Sequence, residues 1–168
     1  MFSVEDICNI AIQIEKNGEK VYRDAQVKAH DAKLKELLRG IADDEKRHIK
    51  WFQSLARNIR QTAKHPQIKE LGKSLLQDII GIQTFSLTSK KISQAATIEQ
   101  IIKQSIEFEK DTIIFYEMMS KFIDDEEIIA QIELIIEEER RHVNTLRTNL
   151  GSKSPKNNLL QINKKAAR

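Results

Sequence analysis

Two short runs, Glu45-Lys46-Arg47-His48 and Glu139-Arg140-Arg141-His142, constrain this chain more than any other feature of it. Each sets a carboxylate and an imidazole three positions apart, about 300° around a helix, so both project from nearly one face one turn apart. The runs lie 94 positions apart, and the chain around them repeats at that offset. Ser3 meets Thr97, Ile7 meets Ile101, Glu15 meets Glu109, Tyr22 meets Tyr116, Asp31 meets Asp125 and Ile41 meets Ile135, with no gap from residue 3 to about 55. A fixed offset of this kind marks two copies of one supersecondary unit.

That unit reads as a helical hairpin. With only 5 Gly and 2 Pro, long Ile/Leu/Glu/Lys stretches favour helix over strand. The first helix starts near Ser3, where Ser3-x-x-Asp6 resembles a capping box, and its apolar stripe is Ala11, Glu15, Gly18, Tyr22, Ala25. His30-Asp31 is the turn, with Asp31 capping a second helix that runs to about Thr62. That helix has the stripe Leu38, Ile41, Glu45, His48, Phe52, Leu55. The third begins at the capping box Thr97-x-x-Gln100, with the stripe Ile101 or Ile102, Ser105, Glu109, Thr112, Tyr116, Met119. After Asp124-Asp125 the fourth carries Ile128, Ile132, Ile135, Glu139, His142, Leu146, and Gly151 is read as its stop. Spacings alternate between three and four, so the acids and histidines sit in the apolar faces.

The expected fold is all-α: a four-helix bundle over residues 1–150, built from repeats at about 3–55 and 97–149. A long crossover at about 63–96 joins them, with a short helix through Ile68, Leu71, Leu75 and Ile79. His30 and His65 read as loop residues. Residues 151–168 form a polar tail, expected to be flexible, with five cations and no acid; taking those five from the net charge of +3 leaves a body at −2. A mildly acidic body argues against a nucleic-acid-binding face. No apolar run approaches the roughly 20 residues that span a bilayer, and no signal peptide is evident, so no membrane partner and a cytoplasmic location are expected. Cys8 is the single cysteine and reads as a small core residue; one thiol excludes an internal disulfide or an iron–sulfur cluster held by this chain.

Repeated core residues converge near the axis relating the two hairpins. These are Glu15, Glu45, His48, Glu109, Glu139 and His142. Four buried carboxylates repel one another and are costly without partners. Two divalent cations neutralise four carboxylates, and two neutral imidazoles complete the donor set. Oxygen and imidazole donors with open positions suit iron or manganese better than structural zinc. Tyr22 and Tyr116, about two turns beyond Glu15 and Glu109, are placed to hydrogen-bond a ligating carboxylate on a facing helix, or to serve as half-buried core tyrosines. Small residues flank each of those acids, Ala11 and Gly18 in one copy and Ser105 and Thr112 in the other, leaving room for water or a small oxidant; Gly18, in mid-helix, reads as close approach by another group beside Glu15 or as a tolerated defect.

The set E…E-x-x-H…E…E-x-x-H, with the stretches Ile14–Tyr22 and Phe108–Tyr116, resembles the ferritin-like diiron-carboxylate proteins, and within them the rubrerythrin-like group. The resemblance covers about residues 3–150. It implies a ferritin-like bundle holding two iron ions, with manganese as an alternative. Glu45 and Glu139 would bridge, Glu15 and Glu109 would be terminal, and His48 and His142 would bind one ion each. It also implies reaction with hydrogen peroxide or dioxygen, and a homo-oligomer, with a dimer favoured. The chain departs from the group in lacking the four cysteines of a rubredoxin domain, so a separate electron-donor protein is implied. Thr112 stands where rubrerythrins place an extra Glu, which leaves a six-residue site closer to that of bacterioferritin. Lys46 replaces the haem-ligating Met of bacterioferritin, so no haem is expected. The leading expectation is a peroxidase or oxidative-stress protein. The alternatives are an iron-binding, ferroxidase or sequestering protein, and a metal-free structural bundle.

Overall fold

A computed structural model describes residues 4–61 and 97–152, which form four helices. They are α1 (Val4–Lys28), α2 (Ala32–Gln61), α3 (Ile98–Phe122) and α4 (Glu126–Ser152). The crossover at 63–96 with its short helix, His65, the Ser3 cap and the tail from 153 lie outside the described residues.

The capping chemistry sets where the helices begin. Asp31 Oδ1 accepts from Leu34 N at 2.8 Å, so α2 starts directly after a three-residue turn. At Thr97 both halves of a capping box form: Thr97 Oγ1 accepts from Gln100 N (3.2 Å), and Gln100 Oε1 accepts from Thr97 N (3.1 Å). Asp125 Oδ1 accepts from Glu127 N and Ile128 N, each at 3.1 Å, and opens α4. Asp31 and Asp125 thus do the same work at the same place in each repeat. One boundary differs from expectation: Gly151 does not stop α4, which includes it and Ser152. A single terminal Gly weakens a helix by only about 1 kcal/mol, and helix ends are defined to within one or two residues.

α1 packs on α2 and α3 on α4, while α1 also meets α3 and α2 meets α4. The helices therefore form a ring in the order α1, α2, α4, α3. The two helices that each contribute one Glu are neighbours, and so are the two with Glu-x-x-His. The stripes read from the sequence line the interior, with Tyr22, Tyr116, Phe52, Phe108 and Phe115 among its largest fully buried side chains. Leu55 is the exception, packed at the edge of the core. Cys8 is buried, and burial, with the Glu5 charge adding, pushes its thiol up to about 12; it is an inert core residue. No described helix is long and apolar enough to cross a membrane.

Candidate metal centre

The six residues expected to converge do so. Glu15, Glu45, Glu109 and Glu139 are 0–1% exposed, His48 is 3% and His142 5% exposed. They fall into two overlapping groups, Glu15/Glu45/His48/Glu139 and Glu45/Glu109/Glu139/His142, whose donor atoms lie within 4.8 Å of one another in each group. Glu45 and Glu139, from the facing helices α2 and α4, belong to both. The two imidazole rings stand 6.5 Å apart, one at each end of the cluster.

Burial and mutual repulsion set the protonation of this cluster. Burial pushes Glu45 well above the usual carboxylate range, and the Glu139, Glu15 and Glu109 charges add to it. Burial and the Glu139 charge do the same to Glu109, against a partial offset from His142 and Tyr22. Burial would also raise Glu139, but the His142 hydrogen bond and the adjacent His48 imidazole outweigh it and hold that carboxyl at about 2. His48 Nδ1 lies 3.0 Å from Glu139 Oε1, and His142 Nδ1 lies 2.8 Å from Glu139 Oε2. Burial alone would lower both imidazoliums. The facing carboxylates instead raise His48 to about 11, through Glu139 and Glu15, and His142 to about 10, through Asp44 and Glu139. Without metal, protons balance the charge.

The tyrosines act across the bundle. Tyr22 on α1 donates its hydroxyl hydrogen to Glu109 Oε1 on α3, and Tyr116 on α3 donates to Glu15 Oε1 on α1. Each is fully buried, and burial with the neighbouring carboxylate charges keeps each phenol protonated as a donor.

Two residues that contact the cluster escaped the sequence reading: Asp44 and Glu138. His48 Nε2 meets Glu138 Oε2 at 2.8 Å, and His142 Nε2 meets Asp44 Oδ2 at 3.1 Å. Each histidine is thus oriented by the opposite hairpin, with Nε2 turned outward to a carboxylate and Nδ1 turned into the cluster. Arg47 bridges Asp44 and Glu138, the latter at 3.2 Å, and Arg141 meets Glu138 at 3.3 Å. The signal was present, since an acid precedes each Glu-x-x-His at the 94-residue offset. A second difference concerns space. The room expected beside Gly18 is taken by Glu45 and Phe108, so it is not open to an oxidant. His30 is exposed in the first turn and contributes nothing to the cluster.

The cluster fits a pair of divalent cations by what it leaves unsatisfied. Glu45 Oε1, Glu109 Oε2 and Glu139 Oε1 are buried and accept no hydrogen bond; the last faces His48 Nδ1 outside bonding direction. Ser105 Oγ, one turn before Glu109, is also buried without a partner. Orphaned buried oxygens are rare, and three on neighbouring carboxylates suit cations at their centre. Oxygen donors shared between two groups, with one imidazole each, are the donor chemistry of a dinuclear iron or manganese site.

Comparison with known proteins agrees with this geometry. A crystal structure from Thermotoga maritima, described as a ferritin-like diiron-carboxylate protein, superposes with a TM-score of 0.66 at 21% identity, covering 91% of this chain and 97% of that one. It shows the fold to be the ferritin-like bundle. No curated protein sequence matches the chain. The sequence model of the family described as Rubrerythrin matches residues 6–150. That span includes both Glu-x-x-His runs and all six convergent side chains, and the chain belongs to the rubrerythrin family.

Proposed function

We propose that the protein is a non-haem diiron oxidoreductase, with manganese as the alternative metal, that reduces hydrogen peroxide or dioxygen in a rubrerythrin-like peroxidase role. The observation that carries this is the pair of overlapping donor groups sharing Glu45 and Glu139. In this reading Glu45 and Glu139 would serve both ions, Glu15 and His48 would hold one, and Glu109 and His142 would hold the other. The bound pair, when reduced, supplies two electrons, which matches the two-electron, two-proton conversion of hydrogen peroxide to two waters.

The chain's own residues do the rest. Tyr22 and Tyr116 fix Glu109 and Glu15 from the far hairpin, so each terminal carboxylate presents one oxygen inward. Glu138 and Asp44 hold the imidazoles with Nδ1 inward. Phe52, packed 5.4 Å from the Tyr116 ring, helps keep bulk water from the carboxylates. Electrons are proposed to be returned by a separate electron-donor protein. The working form is proposed to be a cytoplasmic homodimer.

Anaerobic reconstitution with Fe(II), followed by hydrogen peroxide and a chemical reductant, tests the reading. Two irons per chain and repeated peroxide turnover are the expected result. Stoichiometric Fe(II) oxidation by dioxygen with retention of the product, and no peroxide turnover, would move the assignment to ferroxidase or sequestration. Less than one iron or manganese per chain, with Glu45→Ala changing neither stability nor binding, would leave a metal-free structural bundle.

A further inference from the structure

Gly18 lies in the interior of α1, one turn after Glu15. An interior helical glycine is less stable than alanine there, and either backbone or packing can require it. The backbone does not, because Gly18 has ordinary helical dihedrals. A Cβ built on it would lie 3.2 Å from Glu45 Cδ, 3.2 Å from Glu45 Oε2 and 3.3 Å from Phe108 Cε1. Ordinary carbon contacts are about 3.5–4.0 Å. The Glu45 carboxylate therefore rests against bare α1 backbone. Gly40 and Gly151 have nothing within 4 Å of the same built atom, so this contact is particular to Gly18 among the described glycines.

The repeat sharpens the point. The counterpart of Gly18 is Thr112, and the counterpart of Phe108 is Ile14. Bulk is exchanged between the copies: a missing side chain opposite a large ring in one, a threonine with a smaller aliphatic in the other. Thr112 turns its hydroxyl to its own helix, donating to Phe108 O at 3.0 Å. The two shared carboxylates are thus held differently. Glu139 Oε2 is held by His142 Nδ1 at 2.8 Å and its Oε1 lies 3.0 Å from His48 Nδ1, while Glu45 is backed by backbone and ring.

We propose that Gly18 is a positioning residue for the Glu45 carboxylate, its missing side chain setting where that shared carboxylate stands relative to both metal positions. This rests on the metal-centre reading above. A methyl group at Gly18 must displace the carboxylate, the far end of a flexible side chain, rather than the fully packed Phe108 ring. Because Glu45 serves both donor groups, its displacement is felt at both ions.

The test is Co2+ titration of wild-type, Gly18→Ala and Gly40→Ala protein, following stoichiometry, affinity and the visible absorption of bound cobalt, beside thermal unfolding of each metal-free form. Wild type should take two Co2+ per chain. Gly18→Ala should bind both ions more weakly, at least one of them by about tenfold or more, with an altered cobalt spectrum and a metal-free Tm equal to or above wild type, since alanine is the better helix former. Gly40→Ala should gain Tm and keep wild-type binding. Wild-type affinity for both ions in Gly18→Ala overturns the inference. So does a lowered metal-free Tm or a failure to fold, which would mean that Gly18 only makes room for Phe108. If wild type itself does not take two ions, the metal-centre reading has failed rather than the role of Gly18.

Discussion

At the residue scale, the cluster depends as much on the groups that hold the carboxylates and imidazoles as on those groups themselves. Asp44 is held below the usual carboxylate range first by its hydrogen bond with His142. It is the ionised acceptor that turns His142 Nδ1 inward. Asp44→Asn removes that charge with little change in size, and metal affinity should fall about 10- to 100-fold, as for other outer partners of metal-bound histidines. Isothermal titration with Mn2+ measures it; unchanged affinity would mean that the histidine is held by packing alone. Tyr22→Phe leaves Glu109 Oε1 buried without its donor. A buried acceptor stripped of its partner costs about 1–3 kcal/mol. At about 2–4 °C per kcal/mol for a chain of this size, the expected loss in Tm is several degrees, with weaker metal binding, and thermal unfolding with and without metal checks both.

At the element scale, the caps place the helices so that the stripes arrive in register. Thr97 and Gln100 close a reciprocal box at the start of α3, twelve residues before Glu109. That is about 18 Å along the helix. Thr97→Ala should therefore cost about 1 kcal/mol of stability while metal stoichiometry stays at the wild-type value. Chemical denaturation beside metal analysis separates the two. The helices were legible because each has one strong period, and α2, α3 and α4 have a capping residue at their start. Apart from Leu55, the stripe positions chosen from spacing are the buried ones, with the acids and histidines among them. The end of α4 was less legible, because a lone Gly at a terminus is compatible with either stopping or continuing.

At the scale of the whole molecule, the metal-free bundle holds protons where the loaded one would hold cations. His48 and His142 keep their protons to about 11 and about 10, against about 6.5 in an unfolded chain. Glu45 and Glu109 are raised in the same sense. Between these limits the folded state binds more protons than the unfolded state, so stability falls as pH rises. Glu139, held at about 2, acts the other way, but only below the ordinary carboxylate value of about 4.3. The metal-free Tm should then decline from about pH 5 to about pH 10, while that of the loaded protein stays nearly flat because cations have replaced those protons. Thermal unfolding across that range decides it, and a metal-free Tm that rises with pH would contradict the charge balance described here.

Sequence alone determined the helical class, the two-hairpin repeat, the six convergent residues and the tyrosines beside them. Those follow from periodicity and from an offset that both copies obey, and both are properties of the linear chain. What the tertiary structure decided is which residue meets which across the bundle. Among the carboxylates of facing helices Tyr22 takes Glu109 and Tyr116 takes Glu15, and each histidine is oriented by an acid of the opposite hairpin. A repeat says that equivalent residues share an axis, but partnership across that axis depends on the packing of α1 against α3 and α2 against α4. The same holds where the copies differ. Sequence offered a close approach at Gly18 without saying what approaches, and three-dimensional packing supplies the shared carboxylate of Glu45, because a bare backbone faces it there.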